Sequence, residues 1–128
     1  MTSFSRRAAI AAILGLFVAA AAVGMRSDLP HTRLSTEEEE VFIALKFGSG
    51  DLNPHSFIHP HLTAYALFAA YGAAYVGGRI LGHFHSPSDF EKIIFTDPTL
   101  FFLIARVLVL LAACAALWLF YRIDERLY

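Results

Sequence analysis

The pattern of apolar and polar positions divides the chain into two long apolar runs and a more polar middle. Residues 8–25 contain no charged side chain, and residues 100–121 are interrupted only by Arg106. A helix with the length of the first run extends roughly 27 Å, just enough to cross the hydrocarbon core of a bilayer. We therefore predict an all-α membrane protein with two transmembrane helices, at 8–25 and 99–122.

Basic residues flank both runs and predict their orientation. Arg6 and Arg7 precede the first run, and Arg122 and Arg126 follow the second. Because positive charge is kept on the cytoplasmic side, we predict that both ends are cytoplasmic and that residues 26–98 form a large extracytoplasmic loop. A signal peptide is the alternative for the first run, since paired arginines followed by an apolar core also open such peptides. The length of this apolar core favours an uncleaved anchor.

Two helices are predicted inside the loop, near 36–47 and near 62–82. The first has an acidic start and an apolar stripe, and we expect it to end at Gly48. The second separates small residues on one face from aromatic residues on another, which favours a position at the outer membrane surface. A third full span is the alternative, and it would place the C-terminus outside. The aromatic face consists of Tyr65, Phe68, Tyr71 and Tyr75.

Composition supports the membrane class and excludes others. Of the 128 residues, 57% are hydrophobic and 16% are charged, whereas a soluble domain has about 25% charged residues. The formal net charge of −1 gives no basic field that would attract nucleic acid. The single cysteine, Cys114, lies in an apolar run, so we expect no disulfide framework and an inert thiol.

The acidic run from Glu37 to Glu40 lies shortly after the first apolar run and offers candidate carboxylates. Carboxylates at a membrane surface can act as general bases or bind a divalent metal. A simpler role is also open, because glutamates in a first helical turn interact favourably with the helix dipole.

The loop between the two predicted helices concentrates polar side chains. His55, His59 and His61 share it with Asp51 and Asn53. Imidazoles at such spacing can bind zinc or meet a phosphate, but prolines prevent a common helical face and no established metal-binding motif is present. The simplest role for the acidic and amide side chains is to bond nearby backbone in a turn.

Arg106 places a charge inside the second apolar run. A charge at membrane depth is costly and indicates a functional site. Arg106 also lies about two turns after Pro98, close enough to the interface for its side chain to reach water. Both interpretations stay open.

The order of these features resembles a known family. The acidic helix start is followed by Ala44-Leu45-Lys46-Phe47-Gly48-Ser49-Gly50-Asp51-Leu52-Asn53-Pro54-His55, then by a His-Pro and tyrosine-rich segment. After that come Phe95-Thr96-Asp97-Pro98-Thr99 and a span that opens Phe102-Leu103-Ile104-Ala105-Arg106. Over nearly its whole length the chain resembles the N-terminal part of bacterial membrane glycosyltransferases of the dolichyl-phosphate-mannose–protein mannosyltransferase type, which belong to the GT-C fold class.

The resemblance implies a function. Such enzymes transfer a sugar from a polyprenyl phosphate to an acceptor at the extracytoplasmic face, with an acidic residue of the first loop as general base. It implies Glu37 or Glu38 as the catalytic carboxylate. From the chemistry of the polar loop and of Arg106, we predict Asp51, Asn53, His55, His59 and Arg106 as substrate-binding residues. The implied partners are the lipid-linked sugar, membrane lipid and the remaining transmembrane helices of a larger enzyme in the bacterial inner membrane. No cofactor is firmly implied, although a divalent metal is possible.

Two features depart from the family pattern. The family's acidic pair would fall on Thr36-Glu37, and threonine cannot act as a carboxylate base. Family members are also much longer, so we expect an N-terminal fragment that does not catalyse transfer alone. The alternatives are a non-catalytic membrane module that packs against partner helices and a small membrane metal-binding protein.

Overall fold

The structure is a computed structural model that describes residues 3–30, 35–56, 58 and 60–127. All regular secondary structure in these residues is helical, which confirms the predicted all-α fold for the described part of the chain. The helices are α1 (Ser3–Gly24), α2 (Ser35–Lys46), α3 (Leu62–Ile80), α4 (Pro87–Thr96) and α5 (Thr99–Leu127).

Helix α5 is long and apolar enough to cross a membrane. It has 29 residues, and its most apolar stretch of 18 residues has a mean hydropathy of 2.7 and is 17% buried. No other helix in the described ranges is both long enough and apolar enough to cross a membrane. Helix α1 contains a shorter apolar stretch, Ala8–Gly24, so its span stays a prediction. Helix α3 falls short because its tyrosines, its glycines and Arg79 make it less apolar.

The chain forms two compact units. One contains the residues up to Ser27 together with those from Arg106 onward, and the other is Asp28–Ala105. In the first unit, near the end of α5, the guanidinium carbon of Arg122 lies 5.6 Å from the ring centroid of Trp118. The Trp118 side chain is 51% exposed, so the ring offers apolar surface beside a cation.

The second unit has an aromatic core. The buried side chains lie on one face of α2 and the residue that follows it, on one face of α3, on Phe90 of α4 and in the first two turns of α5. Full burial of side chains such as Phe47 and Leu67 contributes roughly 1.5–3 kcal/mol each. The core residues are Val41, Ile43, Ala44, Phe47, Ala64, Leu67, Tyr71, Phe90, Phe101, Phe102 and Ala105.

The end of α2 differs from the expectation that Gly48 terminates it. The backbone continues as a 3-10 turn over Phe47–Ser49 and ends at Gly50, whose φ is +93°. That left-handed conformation favours glycine. Phe47 is buried and stacks on Tyr65 of α3 with ring centroids 4.8 Å apart. Gly50, rather than Gly48, is therefore the left-handed residue at which the helical backbone ends.

Helix α4 was not predicted, although the sequence carries its start signal. The Ser86 side chain accepts a hydrogen bond from the Asp89 backbone N–H, and the Asp89 carboxylate accepts one from the Ser86 N–H. This is a capping box with Pro87 in the first turn. A side-chain hydrogen bond between Ser86 and the carboxyl group of Asp89 is the main cause that lowers the pKa of Asp89.

An aromatic cluster connects α3, α4 and α5. The Phe90 ring contacts the rings of Tyr75, Phe84 and Phe101 at centroid distances of 5.7, 5.1 and 5.1 Å. A Cβ at Gly78 would collide with the Phe84 ring. The glycine therefore permits the close approach of the α3–α4 connection to α3.

Candidate functional site

The polar loop between the 3-10 turn and α3 forms a cavity of about 140 Å³. Three of the predicted binding residues, Asp51, Asn53 and His55, line it together. The end of α2 contributes Lys46 to the same cavity. The remaining lining residues are Ile43, Phe47, Ser49 and Pro54. The structure therefore gathers a carboxylate, an amide, an imidazole and a lysine around one opening.

Local hydrogen bonds shape this loop. The Asp51 carboxylate accepts the Asn53 N–H at 2.9 Å, and the Asn53 side-chain oxygen accepts the His55 N–H at 3.1 Å. The turn role expected for Asp51 and Asn53 is thus confirmed. His55 adopts a φ of +56°, and its Nε2 lies 2.7 Å from Asp51 Oδ2. The hydrogen bond to His55, followed by the one from the Asn53 backbone, holds the pKa of Asp51 below its usual value.

Glu37 and Glu38 lie in the first turn of α2 and are not among the residues that line the polar cavity. Glu38 is exposed, whereas Glu37 is half-buried. Burial raises the pKa of Tyr71 on α3, and the Glu37 carboxylate raises it further. Glu37 therefore acts electrostatically on the core, whereas Glu38 faces solvent.

The next two glutamates make contacts that sequence reasoning missed. Glu39 Oε1 accepts a hydrogen bond from the Ser56 hydroxyl at 3.4 Å. Glu40 Oε1 lies 3.1 Å from Nδ1 of His61, and the opposite ring nitrogen lies 2.6 Å from the Ser56 carbonyl oxygen. The side chains of Glu40 and His61 are only 15% and 4% exposed. His61 was noted only as part of the histidine loop, and no local pattern pairs it with a glutamate 21 residues away.

Tyr65 fixes the other end of the loop. Its hydroxyl donates to the Leu52 carbonyl oxygen at 2.9 Å while its ring stacks on Phe47. The loop is thus held against α3 near Leu52 and against both α2 and His61 near Ser56. These contacts limit the conformations open to the residues that line the polar cavity.

A second cavity, of about 170 Å³, is mainly apolar. Small residues of α2 and α3 and aromatic side chains form its wall, and Glu91 of α4 contributes a charge. Its lining residues are Ala44, Leu45, Gly48, Phe68, Tyr71, Gly72, Tyr75, Pro87, Phe90 and Glu91. The cavity can take a small apolar group.

Arg106 lies in the unit that contains α1. Its guanidinium donates to the carbonyl oxygens of Met25 and Ser27 at 3.0 and 2.8 Å. A cation at the C-terminal carbonyls of a helix is favourable because it meets the negative end of the helix dipole. Arg106 therefore holds the chain that follows α1, and its role towards a lipid phosphate stays a prediction.

The divalent metal considered from the sequence finds no support in the described ranges. They contain no group of three or more histidine, cysteine, aspartate or glutamate side chains that could hold a metal ion. His59, a predicted binding residue, lies outside the described residues. Cys114 is half-buried in α5.

Comparison of the chain with protein-family models, with curated protein sequences and with solved structures finds no match. The described residues themselves define an all-helical protein with one helix able to cross a membrane and a polar loop cavity.

Proposed function

We propose that this chain is the N-terminal segment of a GT-C glycosyltransferase, which transfers a sugar from a polyprenyl-phosphate donor to an acceptor at the extracytoplasmic membrane face. The observation that carries the proposal is the shared cavity of Asp51, Asn53 and His55 with Lys46. These residues come from the stretch on which the family resemblance rests. Their grouping is what a site for a phosphosugar headgroup requires.

The side-chain chemistry of the cavity suits such a headgroup. Lysine ammonium and protonated imidazole pair with phosphate oxygens. An ionised carboxylate accepts hydrogen bonds from sugar hydroxyls, and an amide group both accepts them and donates them. Asp51 favours its ionised form because of its hydrogen bonds to His55 and Asn53, so it is an acceptor at neutral pH. The proposed contacts are phosphate with Lys46 and His55, and hydroxyls with Asp51 and Asn53.

The membrane part of the proposal uses both apolar helices. Helix α5 has the length and hydropathy of a span, and α1 is proposed as the second, with the intervening loop on the outer side. A donor whose tail stays in lipid would then present its headgroup to the loop, which lowers the entropic cost of positioning it. Large apolar side chains along α5, including Leu111 and Phe120, are exposed and are available to lipid or to further transmembrane helices.

Either Glu37 or Glu38 is the proposed general base. A base must reach the acceptor hydroxyl at hydrogen-bond distance, and neither residue is among those that line the polar cavity. We propose that the remaining transmembrane helices of the enzyme bring acceptor and carboxylate together and exclude water. On this proposal the 128 residues bind donor and do not turn it over alone.

The direct test is donor binding by the full chain in lipid nanodiscs. A radiolabelled short-chain polyprenyl-phosphate hexose is the probe, and the matching polyprenol without phosphate or sugar is the competitor control. We expect saturable binding that Asp51→Asn and His55→Gln weaken by about tenfold, the effect of losing one charge-assisted hydrogen bond. Asp124→Asn, near the end of α5, removes a carboxylate far along the chain and should leave binding unchanged.

The other candidate functions are outcomes of the same preparation. No binding by the wild type, together with a defined oligomer, would refute the donor site and favour a non-catalytic membrane module. Stoichiometric zinc after purification would favour the metal-binding protein. Equal binding of the phosphorylated donor and the bare polyprenol would show that only the lipid tail is recognised.

A further inference from the structure

The His61 ring lies between two oxygen atoms that differ in their ability to donate a hydrogen bond. The Ser56 carbonyl oxygen, 2.6 Å from Nε2, can only accept a hydrogen bond. The Glu40 carboxyl oxygen, 3.1 Å from Nδ1, accepts when ionised and donates only when protonated. Nε2 must therefore carry a hydrogen.

This assignment determines how many protons the pair holds. With Nε2–H donating to Ser56, a neutral ring has a lone pair on Nδ1, and that lone pair needs a donor. Either Glu40 is protonated and donates to Nδ1, or Nδ1 is protonated and donates to an ionised Glu40. Both arrangements contain one proton more than an ionised glutamate beside a neutral histidine. They also leave the pair with no net charge.

Removal of that proton breaks one of the two contacts. If Nε2 keeps its hydrogen, the Nδ1 lone pair faces an ionised carboxylate oxygen. If the hydrogen moves to Nδ1, the Nε2 lone pair faces the Ser56 carbonyl oxygen. Two acceptors then lie together in a site where the His61 and Glu40 side chains are 4% and 15% exposed, which leaves little water to compensate.

We propose that Glu40 and His61 form a proton-dependent latch that holds the polar loop against α2. The latch attaches the loop at Ser56, and the loop residues that line the polar cavity lie between this point and the end of α2. Raising the pH removes the proton, breaks the contact at Ser56 and releases the loop. Glu40 and His61 are thus positioning residues for the cavity. The inference concerns the loop itself and does not depend on which ligand the cavity takes.

Other titratable groups in the described residues lie on the elements that form the latch. Helix α2 contributes Glu39, which bonds the Ser56 hydroxyl. The loop contributes the Asp51–His55 pair, and α3 contributes Tyr65, which bonds Leu52. The two contacts of the His61 ring are nevertheless to Glu40 and Ser56. The proton count of the latch is therefore set by Glu40 and His61.

Nuclear magnetic resonance on the full chain in detergent micelles tests the proton count. Ring nitrogens are labelled with ¹⁵N, the glutamate carboxyl carbons with ¹³C, and the His61 and Glu40 signals are assigned with His61→Asn and Glu40→Gln. While the loop is held against α2, we expect a protonated Nε2 and, in addition, a proton on either Nδ1 or Glu40. An unprotonated Nε2, or an unprotonated Nδ1 beside an ionised Glu40, would overturn the proposal.

Hydrogen exchange tests the release of the loop. Protection of backbone amides in the 50–61 peptide is measured from about pH 5 to about pH 10 and corrected for intrinsic exchange rates. As the latch proton leaves, wild-type protection should fall about tenfold or more, because buried acceptors lose their partner. Loss of the proton without loss of protection would contradict the latch.

The variant Glu40→Gln shows whether a fall in loop protection comes from the latch or from a general effect of pH on the protein. Its amide N–H₂ can donate to Nδ1 of a neutral ring while Nε2–H still donates to Ser56, so no extra proton is needed. We expect its loop protection to stay constant across the scan. Glu39→Gln is the matched control on the same helix and should keep the wild-type fall. A Glu40→Gln profile that falls like that of the wild type would refute the proposal.

Discussion

The Tyr71 hydroxyl donates a hydrogen bond to the main-chain carbonyl oxygen of Phe101, 3.2 Å away, and the two rings meet edge to face at 5.1 Å. Both side chains are buried. The contact joins the middle of α3 to the start of α5, between residues 30 positions apart. The hydrogen bond therefore joins α3, which follows the polar loop, to the first turn of α5.

Removing this hydroxyl should weaken the second unit. We expect Tyr71→Phe to lower the free energy of unfolding by about 1–2 kcal/mol, because a buried hydrogen bond is lost and little volume changes. Unfolding in a sodium dodecyl sulfate titration, followed by circular dichroism, measures the change. Tyr65→Phe is the control, because its hydroxyl bond is exposed and should contribute less. Equal losses in the two variants would show that burial does not strengthen the Tyr71 bond.

Tyr71 also predicts a loss of stability in alkali. Burial and the Glu37 carboxylate raise the pKa of this hydroxyl above its ordinary 10.0. A pKa raised on folding gives stability that is fully present below 10.0 and declines as the pH rises above that value. We expect wild type to lose more stability than Tyr71→Phe between about pH 8 and about pH 11. Parallel losses would exclude Tyr71 as the cause.

The Asp51–His55 pair predicts that the loop loses a stabilising contact at low pH. Its hydrogen bonds hold the pKa of Asp51 below 3.8, so the contribution of its carboxylate is present above that value and is lost as the pH falls through the lowered pKa. A ¹³C titration of the Asp51 carboxyl should show the low midpoint. His55→Gln should move the midpoint back towards the ordinary value, since His55 is its largest cause. An unchanged midpoint in this variant would assign the shift to the Asn53 backbone instead.

Gly48 and Gly50 form a matched pair for testing the end of α2. A Cβ at either position meets no atom within 4 Å, and only Gly50 has a positive φ. We expect Gly50→Ala to cost roughly 1–2 kcal/mol from left-handed backbone strain. Gly48→Ala should be neutral or slightly stabilising. Chemical or detergent denaturation of the two variants side by side measures the difference, and a larger cost at Gly48 would contradict the observed turn.

The predicted orientation of the chain can be tested by labelling from outside the cell. In a Cys114→Ala background, single cysteines are placed at positions 2, 53 and 127 and exposed in intact cells to a membrane-impermeant maleimide. We expect labelling only at position 53, because the basic flanks predict that both ends are cytoplasmic. Labelling of position 127 but not of position 2 would indicate a third span. Absence of labelling at all three positions would refute an extracytoplasmic loop.

Local sequence signals account for the features that were anticipated. The apolar run opened by Pro98 and Thr99 is long enough to specify α5 without tertiary information. Asp51 and Asn53 bond backbone two residues ahead, so their turn could be anticipated from their own chemistry. The grouping of these two residues with His55 also follows from their short separation.

Features that depend on distant residues were missed. Nothing near Glu40 in the sequence shows that it, rather than Glu37 or Glu38, meets His61, because the choice depends on how α2 packs against α3. The contacts of Arg106 with Met25 and Ser27 likewise join residues about 80 positions apart. Helix α4 was a different kind of omission, since the Ser86–Asp89 capping box is readable from four consecutive residues.

Trp118 is the single tryptophan of the chain, and it lies on α5 near the cation of Arg122 with half of its side chain exposed. Tryptophan emission from this protein therefore originates at one point of known position in α5. Lipids brominated at successive carbons quench such emission most strongly at the depth of the indole. The native protein thus carries its own spectroscopic depth marker, which can locate α5 in a bilayer without any added label.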